Sequence, residues 1–444
     1  MEVKLFNSLT NNLEVFKPLK EGKVSMYVCG PTVYSYPHIG NLRPVVTFDI
    51  LRRLFEHLGY KVTYISNITD IDDKIIKAAI EEKVSEKDIA SKYEKNFFDC
   101  CDKIHAKRPT HIPHATHTIP RMVEFISKLI KDGYAYEVDG DVYFRVTNIK
   151  DYGKLSHFQV ENLKSGARIE ENEKKENPLD FALWKKTEVG IKFPAPFGEG
   201  RPGWHTECVV MIQDYYPEGR IDIHGGGFDL KFPHHENEIA QAEAIFHHAI
   251  ATYWLHNGFI NIDNVKMSKS LGNVITAQSL LDDNGGNVVR MVMLSSHYRA
   301  PLNISQEILE SAKKEVERIA LPLKQVSIQL QNSGVARHEN YDQAKLAEFL
   351  EMVANDLNTA NGLSVLYQNL KELNVASRQK DMDKVQILYN TIAQMLDVLG
   401  LEFSEVILSE EDKELYKKWE EYRKEKNFEK ADEIRKLLAS KGLV

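Results

Sequence analysis

The sequence predicts an α/β fold in which a parallel sheet is followed by an all-α region, and three observations support this. Short apolar segments at residues 24–29 and 62–65 have the composition of strands, and they flank an amphipathic segment at residues 41–58. Two more strand-like segments appear after residue 220, and helical periodicity dominates from about residue 302. A strand–helix–strand unit of this length places its two strands parallel in one sheet.

The first strand and helix have clear boundaries in the sequence. Val24–Cys29 reads as an apolar strand that ends at the turn-forming pair Gly30-Pro31. The following helix carries Pro44 in its first turn and Gly59 just past its end, where these residue types mark helix termini. This strand–loop–helix arrangement is typical of nucleotide-binding folds.

The rest of the chain divides into an insertion, a return to the sheet and a helical region. Ile221–His224 and Tyr253–Ile262 are expected to be strands, and the charged run at residues 170–178 is expected to be an exposed loop in the insertion. After residue 302 strand signals are almost absent. One expected helix there has an apolar face made of Leu346, Phe349, Leu350, Val353 and Leu357.

Composition narrows the class of protein. The chain has 444 residues, too many for one ordinary core, and its formal net charge of −8 argues against a nonspecific nucleic-acid binder. No apolar stretch reaches the roughly 20 residues that span a bilayer, and the first nine residues lack the form of a signal peptide, so we expect a cytoplasmic protein without a membrane association. Its four cysteines do not make a disulfide framework and are expected to be free thiols or metal ligands.

The most specific motif is Lys266-Met267-Ser268-Lys269-Ser270. Two lysines separated by small residues on a loop can close over a triphosphate and neutralise charge on the leaving pyrophosphate. A second motif, Pro37-His38-Ile39-Gly40-Asn41, lies between the first strand and its helix. In that position an imidazole and backbone N–H groups face a phosphate. Each motif alone would more often be a solvated turn or a helix cap, so the functional interpretation depends on the pair.

A second constellation has the composition of a metal site. Cys29 ends the first strand, Cys208 follows Trp204 closely, and Glu238 lies four residues after His234. Two thiolates, one imidazole and one carboxylate suit zinc. If a helix begins near residue 234, His234 and Glu238 share one face, although His235 is also compatible with that face. The alternative is that both cysteines are merely small buried residues.

Three other interpretations fit less well. A calcium loop starting at Asp70 would require Gly where Ile75 stands. The run His224-Gly225-Gly226-Gly227 is similar to a lipase oxyanion loop, but the chain contains no Gly-x-Ser-x-Gly nucleophile motif. Adjacent Cys100 and Cys101 lie in a helical segment and are expected to be structural.

The two nucleotide motifs resemble the HIGH and KMSKS signatures of class I aminoacyl-tRNA synthetases, with Asn41 in place of the second histidine of the first signature. The resemblance extends to the cysteinyl-tRNA synthetase family over nearly the whole chain. It rests on the segments Val28 to Tyr34, Asn67 to Lys74, Phe181 to Lys185, Gly203 to Cys208 and His224 to Glu238. It implies a Rossmann-type catalytic domain with an insertion, followed by a helical bundle.

The resemblance also implies site residues. Cys29, Cys208, His234 and Glu238 would hold one Zn²⁺ per chain, and Thr69, Trp204 and Asp229 would form the amino-acid pocket. His38, Asn41, Lys266 and Lys269 would act in catalysis. ATP, accompanied by Mg²⁺, would be bound by His38, Gly40, Lys266, Met267, Ser268, Lys269 and Ser270. Zinc suits this pocket because an apolar pocket discriminates such near-isosteres as cysteine and serine by only roughly 10 to 200-fold.

The implied activity is that of a cysteine–tRNA ligase, with L-cysteine, ATP and tRNA(Cys) as substrates and a monomer as the working unit. The implied domain boundaries are a split catalytic domain at 1–130 and 204–275, a connective insertion at 131–203, a stem-contact helical region at 276–320, a DALR-like bundle at 321–402 and a short anticodon-side segment at 403–444. Two alternatives are a cysteine ligase that acts on a small amine, as in the mycothiol pathway, and a non-catalytic RNA-binding zinc protein. The helical C-terminal region favours transfer RNA as the acceptor.

Overall fold

The computed structural model of the chain describes residues 1–157, 174–267, 272 and 274–443. These residues form two compact units. The first comprises Met1–Gly286, His297–Ser305 and Ala354–Leu357, and the second comprises Asn287–Ser296, Gln306–Val353 and Asn358–Val444.

The strands of the described residues all lie in the first unit. They are β1 (Lys4–Asn7), β2 (Asn12–Val15), β3 (Lys23–Val28), β4 (Lys61–Ser66), β5 (Ala135–Val138), β6 (Asp141–Phe144), β7 (Phe181–Lys186), β8 (Gly200–Pro202), β9 (Ile221–Gly227), β10 (Ala251–Asn257), β11 (Ile260–Ile262), β12 (Val265–Lys266) and β13 (Leu302–Ile304).

The α-helices of the described residues occur in both units. They are α1 (Ile39–His57), α2 (Asp73–Glu82), α3 (Glu86–Lys103), α4 (Ala115–Lys131), α5 (Glu207–Tyr215), α6 (Glu236–Phe246), α7 (Ala277–Asn284), α8 (Gly286–Leu294), α9 (Gln306–Asn332), α10 (Gln343–Ala354), α11 (Thr359–Gln379), α12 (Met382–Leu399), α13 (Glu410–Lys424) and α14 (Phe428–Ser440).

The site is organised by a parallel sheet of the first unit with strand order β10-β9-β3-β4. Strand β3 pairs in parallel with β9 on one side and with β4 on the other, so the loops after β3 and β9 leave the same edge of the sheet. Helix α1 follows β3 and returns the chain to β4. This confirms the predicted βαβ unit and parallel sheet, although the helix begins two residues earlier than expected.

The carboxyl edge of this sheet requires glycine where backbones approach closely. A Cβ on Gly225 would lie 1.9 Å from the ring of Phe48 in α1, and one on Gly30 would lie 1.6 Å from the carbonyl oxygen of Asn67. Both distances are shorter than any van der Waals contact. The glycine-rich end of β9 therefore packs directly beneath the first helix, which brings the two loops together.

The insertion between the halves of the parallel sheet contains an antiparallel sheet of order β5-β6-β7-β8. Sequence patterns did not indicate these four short strands. Residues 170–173 of the charged run lie outside the described residues, while the exposed carboxylate of Glu176 accepts hydrogen bonds from the guanidinium of Arg145 at 2.7 and 2.8 Å. The sheet spans residues 135–202, within the part of the chain predicted to be the insertion.

Two predictions about strands were wrong. Tyr253–Ile262 is not one strand but two, β10 in the parallel sheet and β11 in a small sheet of order β12-β11-β13. The chain leaves one sheet at Gly258, where a Cβ would lie 2.4 Å from the carbonyl oxygen of Ala300. The region after residue 302 also begins with a strand, because Leu302–Ile304 pairs in parallel with β11.

The second unit is built from helices, as predicted. Phe349, Leu366 and Leu373 are fully buried in it, and Gly362 of α11 lies against Phe349. The apolar face predicted around Leu346 ends earlier than expected, because α10 stops at Ala354. Leu357 follows in the left-handed region with φ of 52°, so it is not part of that helix.

Candidate active site

Four potential metal-binding side chains converge at the carboxyl edge of the parallel sheet. Cys29 follows β3, Cys208 lies in the first turn of α5, His234 precedes α6 and Glu238 lies in the first turn of α6. The ligand atoms of all four lie within 4.8 Å of one another. Cys208, His234 and Glu238 are each at most 1% exposed, so a charged group there is shielded from water.

The distances between these atoms match a tetrahedral metal site. The Sγ atoms of Cys29 and Cys208 are 3.6 Å apart, and Cys208 Sγ lies 3.7 Å from His234 Nε2. Glu238 Oε1 lies 3.7 Å from Cys29 Sγ and 2.9 Å from His234 Nε2. Metal–ligand bonds of about 2.0–2.3 Å put the ligand atoms of tetrahedral zinc roughly 3.3–3.8 Å apart. Three of these distances, 3.6, 3.7 and 3.7 Å, fall in that range, whereas the 2.9 Å between Glu238 and His234 is that of a directly paired carboxylate and imidazole. The donor set therefore fits zinc in its chemistry and, apart from this pair, in its spacing.

Three further side chains, His224, His205 and Trp204, contact these donors. His224 Nε2 lies 2.7 Å from Glu238 Oε2. His234 Nδ1 lies 3.0 Å from Nδ1 of His205, and the indole of Trp204 stacks on the His234 ring at 4.0 Å. Partners of this kind fix the ring orientation and the tautomer of a metal-binding histidine. The motifs used in the sequence analysis did not single out His205 or His224 as partners of the donors.

His235, which the sequence left as an alternative ligand, also reaches the cluster. Its Nε2 lies 3.2 Å from Cys29 Sγ, and its Nδ1 lies 2.8 Å from Nε2 of His256. Cys29, His224, His235 and Glu238 consequently form a second group of compatible donors. Because this group shares Cys29 and Glu238 with the first, the two groups are alternative donor sets of one candidate metal site.

Electrostatics in the cluster favour the charged forms of His234 and Glu238, whereas burial raises the pKa of Cys29. Burial alone would raise the pKa of Cys208, but hydrogen bonding to Cys29 and His234 lowers it to about 7. Burial alone would lower the pKa of His234, but the charge of Glu238 raises it to about 10. Burial also opposes ionisation of Glu238, yet the neighbouring His224 and His234 hold its pKa well below the ordinary value. Without a metal, an imidazolium and a carboxylate thus neutralise each other at neutral pH.

A cleft with a volume of about 280 Å³ opens from Cys29 along the loop after β3. Trp204 and Asp229 line it, and both are exposed. Thr69 is buried beneath, where its hydroxyl donates to Glu207 at 2.6 Å and its backbone pairs with Thr32 of the cleft wall. Of the three side chains predicted for the amino-acid pocket, two therefore line the cleft and Thr69 supports it from below.

A second cavity of about 240 Å³ continues from the cleft, since His38, Gly40 and Asp229 line both. Lys266 and Met267 also line it, and the Lys266 Nζ lies 3.6 Å from the ring centroid of Phe259. The structure thus brings residues of both sequence motifs into the lining of one cavity, and a Cβ on Gly40 would lie 3.2 Å from the methyl carbon of Met267. Ser268, Lys269 and Ser270 of the second motif lie outside the described residues.

Asn41 has a defined structural contact at the start of α1. Its side-chain oxygen accepts a hydrogen bond of 3.0 Å from the backbone N–H of His38. A side chain that caps a helix in this way fixes the entry of the chain into the helix. The contact orients His38 toward the cavity, and Asn41 itself lines the adjoining cleft.

Comparison with known proteins identifies the family. Residues 15–314 match the family described as tRNA synthetases class I (C) catalytic domain. The cysteine–tRNA ligase of Acholeplasma laidlawii is 46% identical over 442 residues, which cover all of both chains, and that of Oceanobacillus iheyensis is 46% identical over 456 residues, all of this chain and 97% of the relative. This chain belongs to the cysteine–tRNA ligase family. Its family membership confirms the resemblance found in the sequence.

Other members of the class share the fold at low sequence identity. A Mycobacterium tuberculosis methionyl-tRNA synthetase bound to methionyl-adenylate superposes with a TM-score of 0.62 at 16% identity, over 85% of this chain and 92% of that one. Residues 348–404 match the DALR domain, which confirms the predicted DALR-like character of this part of the helical region. The catalytic-domain match includes the donor cluster and both cavities of this cysteine–tRNA ligase family member. Among the described residues, none of the helices is long and apolar enough to cross a membrane.

Proposed function

We propose that the chain activates L-cysteine with ATP and transfers the cysteinyl group to the 3′-terminal adenosine of tRNA(Cys). The observation that carries this proposal is the continuity of two chemically distinct sites. A buried thiol-containing donor set adjoins a cavity flanked by His38 and Lys266. Relatives that align over their full or nearly full length are named cysteine–tRNA ligases, which supports the same reaction.

The donor set Cys29, Cys208, His234 and Glu238 would hold one zinc ion. Bound zinc takes a thiolate as a ligand strongly and an alcohol poorly, which would discriminate cysteine from serine. Trp204 stacks on His234 and would close one wall of the amino-acid site, with Thr69 beneath. The exposed carboxylate of Asp229 lines both cavities and would bind the substrate ammonium group between them.

In the first chemical step the cysteine carboxylate would attack the α-phosphate of ATP and release pyrophosphate. Catalysis of such a step depends on positioning and on charge stabilisation rather than on a protein nucleophile. His38, oriented by Asn41, would donate to the α-phosphate, and Lys266 with Lys269 would neutralise charge on the pyrophosphate. Gly40, Met267, Ser268 and Ser270 would complete the ATP site, and Mg²⁺ would accompany the pyrophosphate.

In the second step a ribose hydroxyl of the transfer RNA would attack the adenylate. The DALR-domain match at residues 348–404 favours a transfer RNA as acceptor over a small amine. The catalytic-domain match over residues 15–314 disfavours the other alternative, a zinc protein without catalysis. The predicted boundaries of the insertion, stem-contact region, bundle and anticodon-side segment remain part of this proposal, as do a monomeric state and a cytoplasmic location.

Charging of transfer RNA tests the proposal. Purified protein is mixed with ATP and labelled cysteine. The acceptor is either a tRNA(Cys) transcript or a small amine, such as cysteamine or an aminosugar. We expect acid-precipitable label on the transcript and no amide product with the amines. Amide formation without charging would assign the chain to the small-amine ligases instead.

A further inference from the structure

One buried arginine of the first unit makes contacts that the proposed mechanism does not use. Arg43 lies on α1, five residues after His38, and is 2% exposed. Its Nη1 donates to the carbonyl oxygens of Gly258 and Phe259 at 2.7 and 2.8 Å. Its Nη2 donates to those of Ala300 and His297 at 2.6 and 3.3 Å. A single guanidinium therefore joins one helix to two separate stretches of backbone.

These contacts stabilise a positively charged guanidinium in the protein interior by hydrogen bonds to backbone carbonyl oxygens. Burial lowers the pKa of Arg43 to about 10, so the group stays protonated at neutral pH. A planar guanidinium can satisfy four carbonyls at fixed angles, whereas a lysine has a compact head with three donors and cannot span both pairs. The geometry consequently depends on arginine at this position.

The backbone that accepts hydrogen bonds from Arg43 continues into β11, which pairs with the strand that carries Lys266. Phe259 precedes β11, and the pairing of β11 with β12 places Asn261 opposite Lys266. The backbone N–H of Met267 donates to the carbonyl oxygen of Ile260 at 3.1 Å. The ring of Phe259 in turn lies under the Lys266 ammonium. A shift of residues 258–259 would therefore move both the backbone and the side chain of Lys266.

Arg43 itself lies on α1, the helix that begins at the motif containing His38. His38 caps this helix, and both His38 and Arg43 line the 240 Å³ cavity, as do Gly258, Phe259 and Lys266. Arg43 does not line the 280 Å³ cleft that opens from Cys29. The guanidinium is thus placed to affect the nucleotide side of the site without touching the amino-acid side.

We infer that Arg43 is a positioning residue for nucleotide activation, which sets the spacing between the helix that carries His38 and the hairpin that carries Lys266. The inference rests on the proposed function in its choice of assay. It predicts that loss of the guanidinium weakens ATP binding and slows adenylate formation, while the binding of cysteine and of metal is retained. A displacement of about 1 Å between reacting groups can lower a rate about 100-fold.

The test uses Arg43→Met, Arg43→Lys and a matched control, Arg53→Met, in the full chain. Arg53 is a second buried arginine of α1, 4% exposed, and its contacts include Asp49 and the carbonyl oxygen of His105. Its replacement leaves Asp49 without this partner in the interior, so the control is expected to lose at least as much stability. Zinc content, thermal unfolding, ATP affinity by calorimetry and cysteine-dependent pyrophosphate exchange are measured for each variant.

We expect Arg43→Met to bind zinc and cysteine normally, to bind ATP more weakly and to lose about 100-fold in the exchange rate, with Arg43→Lys restoring only part of it. Arg53→Met should be less stable but should keep the ATP affinity and the exchange rate of the unaltered chain. Wild-type ATP affinity and exchange in Arg43→Met would overturn the inference, as would an equal loss in Arg53→Met. If Arg43→Met does not fold, Arg43→Lys decides by the same criteria. If the unaltered chain shows no cysteine-dependent exchange, the proposed function fails, and the ATP affinities of the variants still test the role of Arg43.

Discussion

The cysteine side and the nucleotide side of the site are built in opposite ways. On the cysteine side, Cys208, His234 and Glu238 are buried, and His205 and His224 contact His234 and Glu238. On the nucleotide side, Lys266 is exposed at the end of the short strand β12 and lines an open cavity. Selection between two amino acids of nearly equal size needs fixed donors in a dry environment, whereas phosphate chemistry needs charged groups that reach a large, hydrated substrate. We therefore expect the two sides to respond differently to substitution.

The largest effect is expected at the buried donors. Cys208→Ser removes one of two thiols from a set whose spacing fits zinc. Substitution of a mere partner of a ligand costs roughly 10–100-fold in metal affinity, so loss of a ligand should cost more and should abolish cysteine-dependent exchange. Metal content after dialysis is the measurement. The matched control is Cys101→Ser, another buried cysteine, which is expected to keep its metal. Stoichiometric zinc in Cys208→Ser would show that the ligand assignment is wrong.

A large effect of another kind is expected on the nucleotide side. Lys269→Ala should lower the rate of pyrophosphate exchange about 100-fold, because a charge that stabilises the leaving pyrophosphate is lost. The affinity for cysteine should hardly change, which contrasts with the effect expected for Cys208→Ser. Steady-state exchange at varied cysteine and ATP concentrations separates the two parameters. Lys313→Ala, at an ion-paired lysine of α9, serves as the control. An unchanged rate in Lys269→Ala would remove this lysine from the transition state.

The affinity of the buried donors for metal is expected to depend on pH. In the metal-free protein burial raises the pKa of Cys29, and Glu238 raises that of His234 to about 10, so both groups carry protons at neutral pH. Metal binding must displace these protons, and affinity therefore rises as pH rises, by about tenfold per pH unit for each proton released. Competition with a chromophoric chelator between pH 6 and about 8 measures the slope. A pH-independent affinity would mean that the metal-free donors are already deprotonated.

The smallest effect is expected at the cap of α1. Asn41→Ala removes the acceptor for the His38 N–H and should cost about 1 kcal/mol of stability, with a decrease in exchange of only a few-fold. Asn41→Asp keeps an acceptor oxygen at that position and should retain the stability. Chemical denaturation of the two variants checks this order. Equal stability of Asn41→Ala and the unaltered chain would show that the contact contributes nothing.

Much of this arrangement could be predicted from local sequence patterns. The strands β3, β4 and β9 and the helix α1 were recognisable because apolar periodicity and turn residues mark them without reference to the rest of the chain. Cys29, Cys208, His234 and Glu238 were candidates because their chemical types are rarely combined by chance, and the structure brings them together.

What could not be predicted depends on long-range packing. The break at Gly258 and the strand at Leu302–Ile304 are set by pairing between segments about forty residues apart, which no local pattern records. The contacts of His205 with His234, of His256 with His235 and of Arg43 with backbone carbonyls were not predicted for the same reason. Thr69 was assigned to the amino-acid pocket, yet its side chain bonds to Glu207 below the cleft.

The most direct test of the account is cysteine-dependent exchange of pyrophosphate into ATP, measured with serine as the competing substrate before and after removal of metal. We expect exchange with cysteine and almost none with serine. Chelation should abolish the exchange, and the return of zinc should restore it. Exchange that survives complete removal of metal, or that serine supports as well as cysteine does, would contradict the claim that the buried donor set selects the substrate.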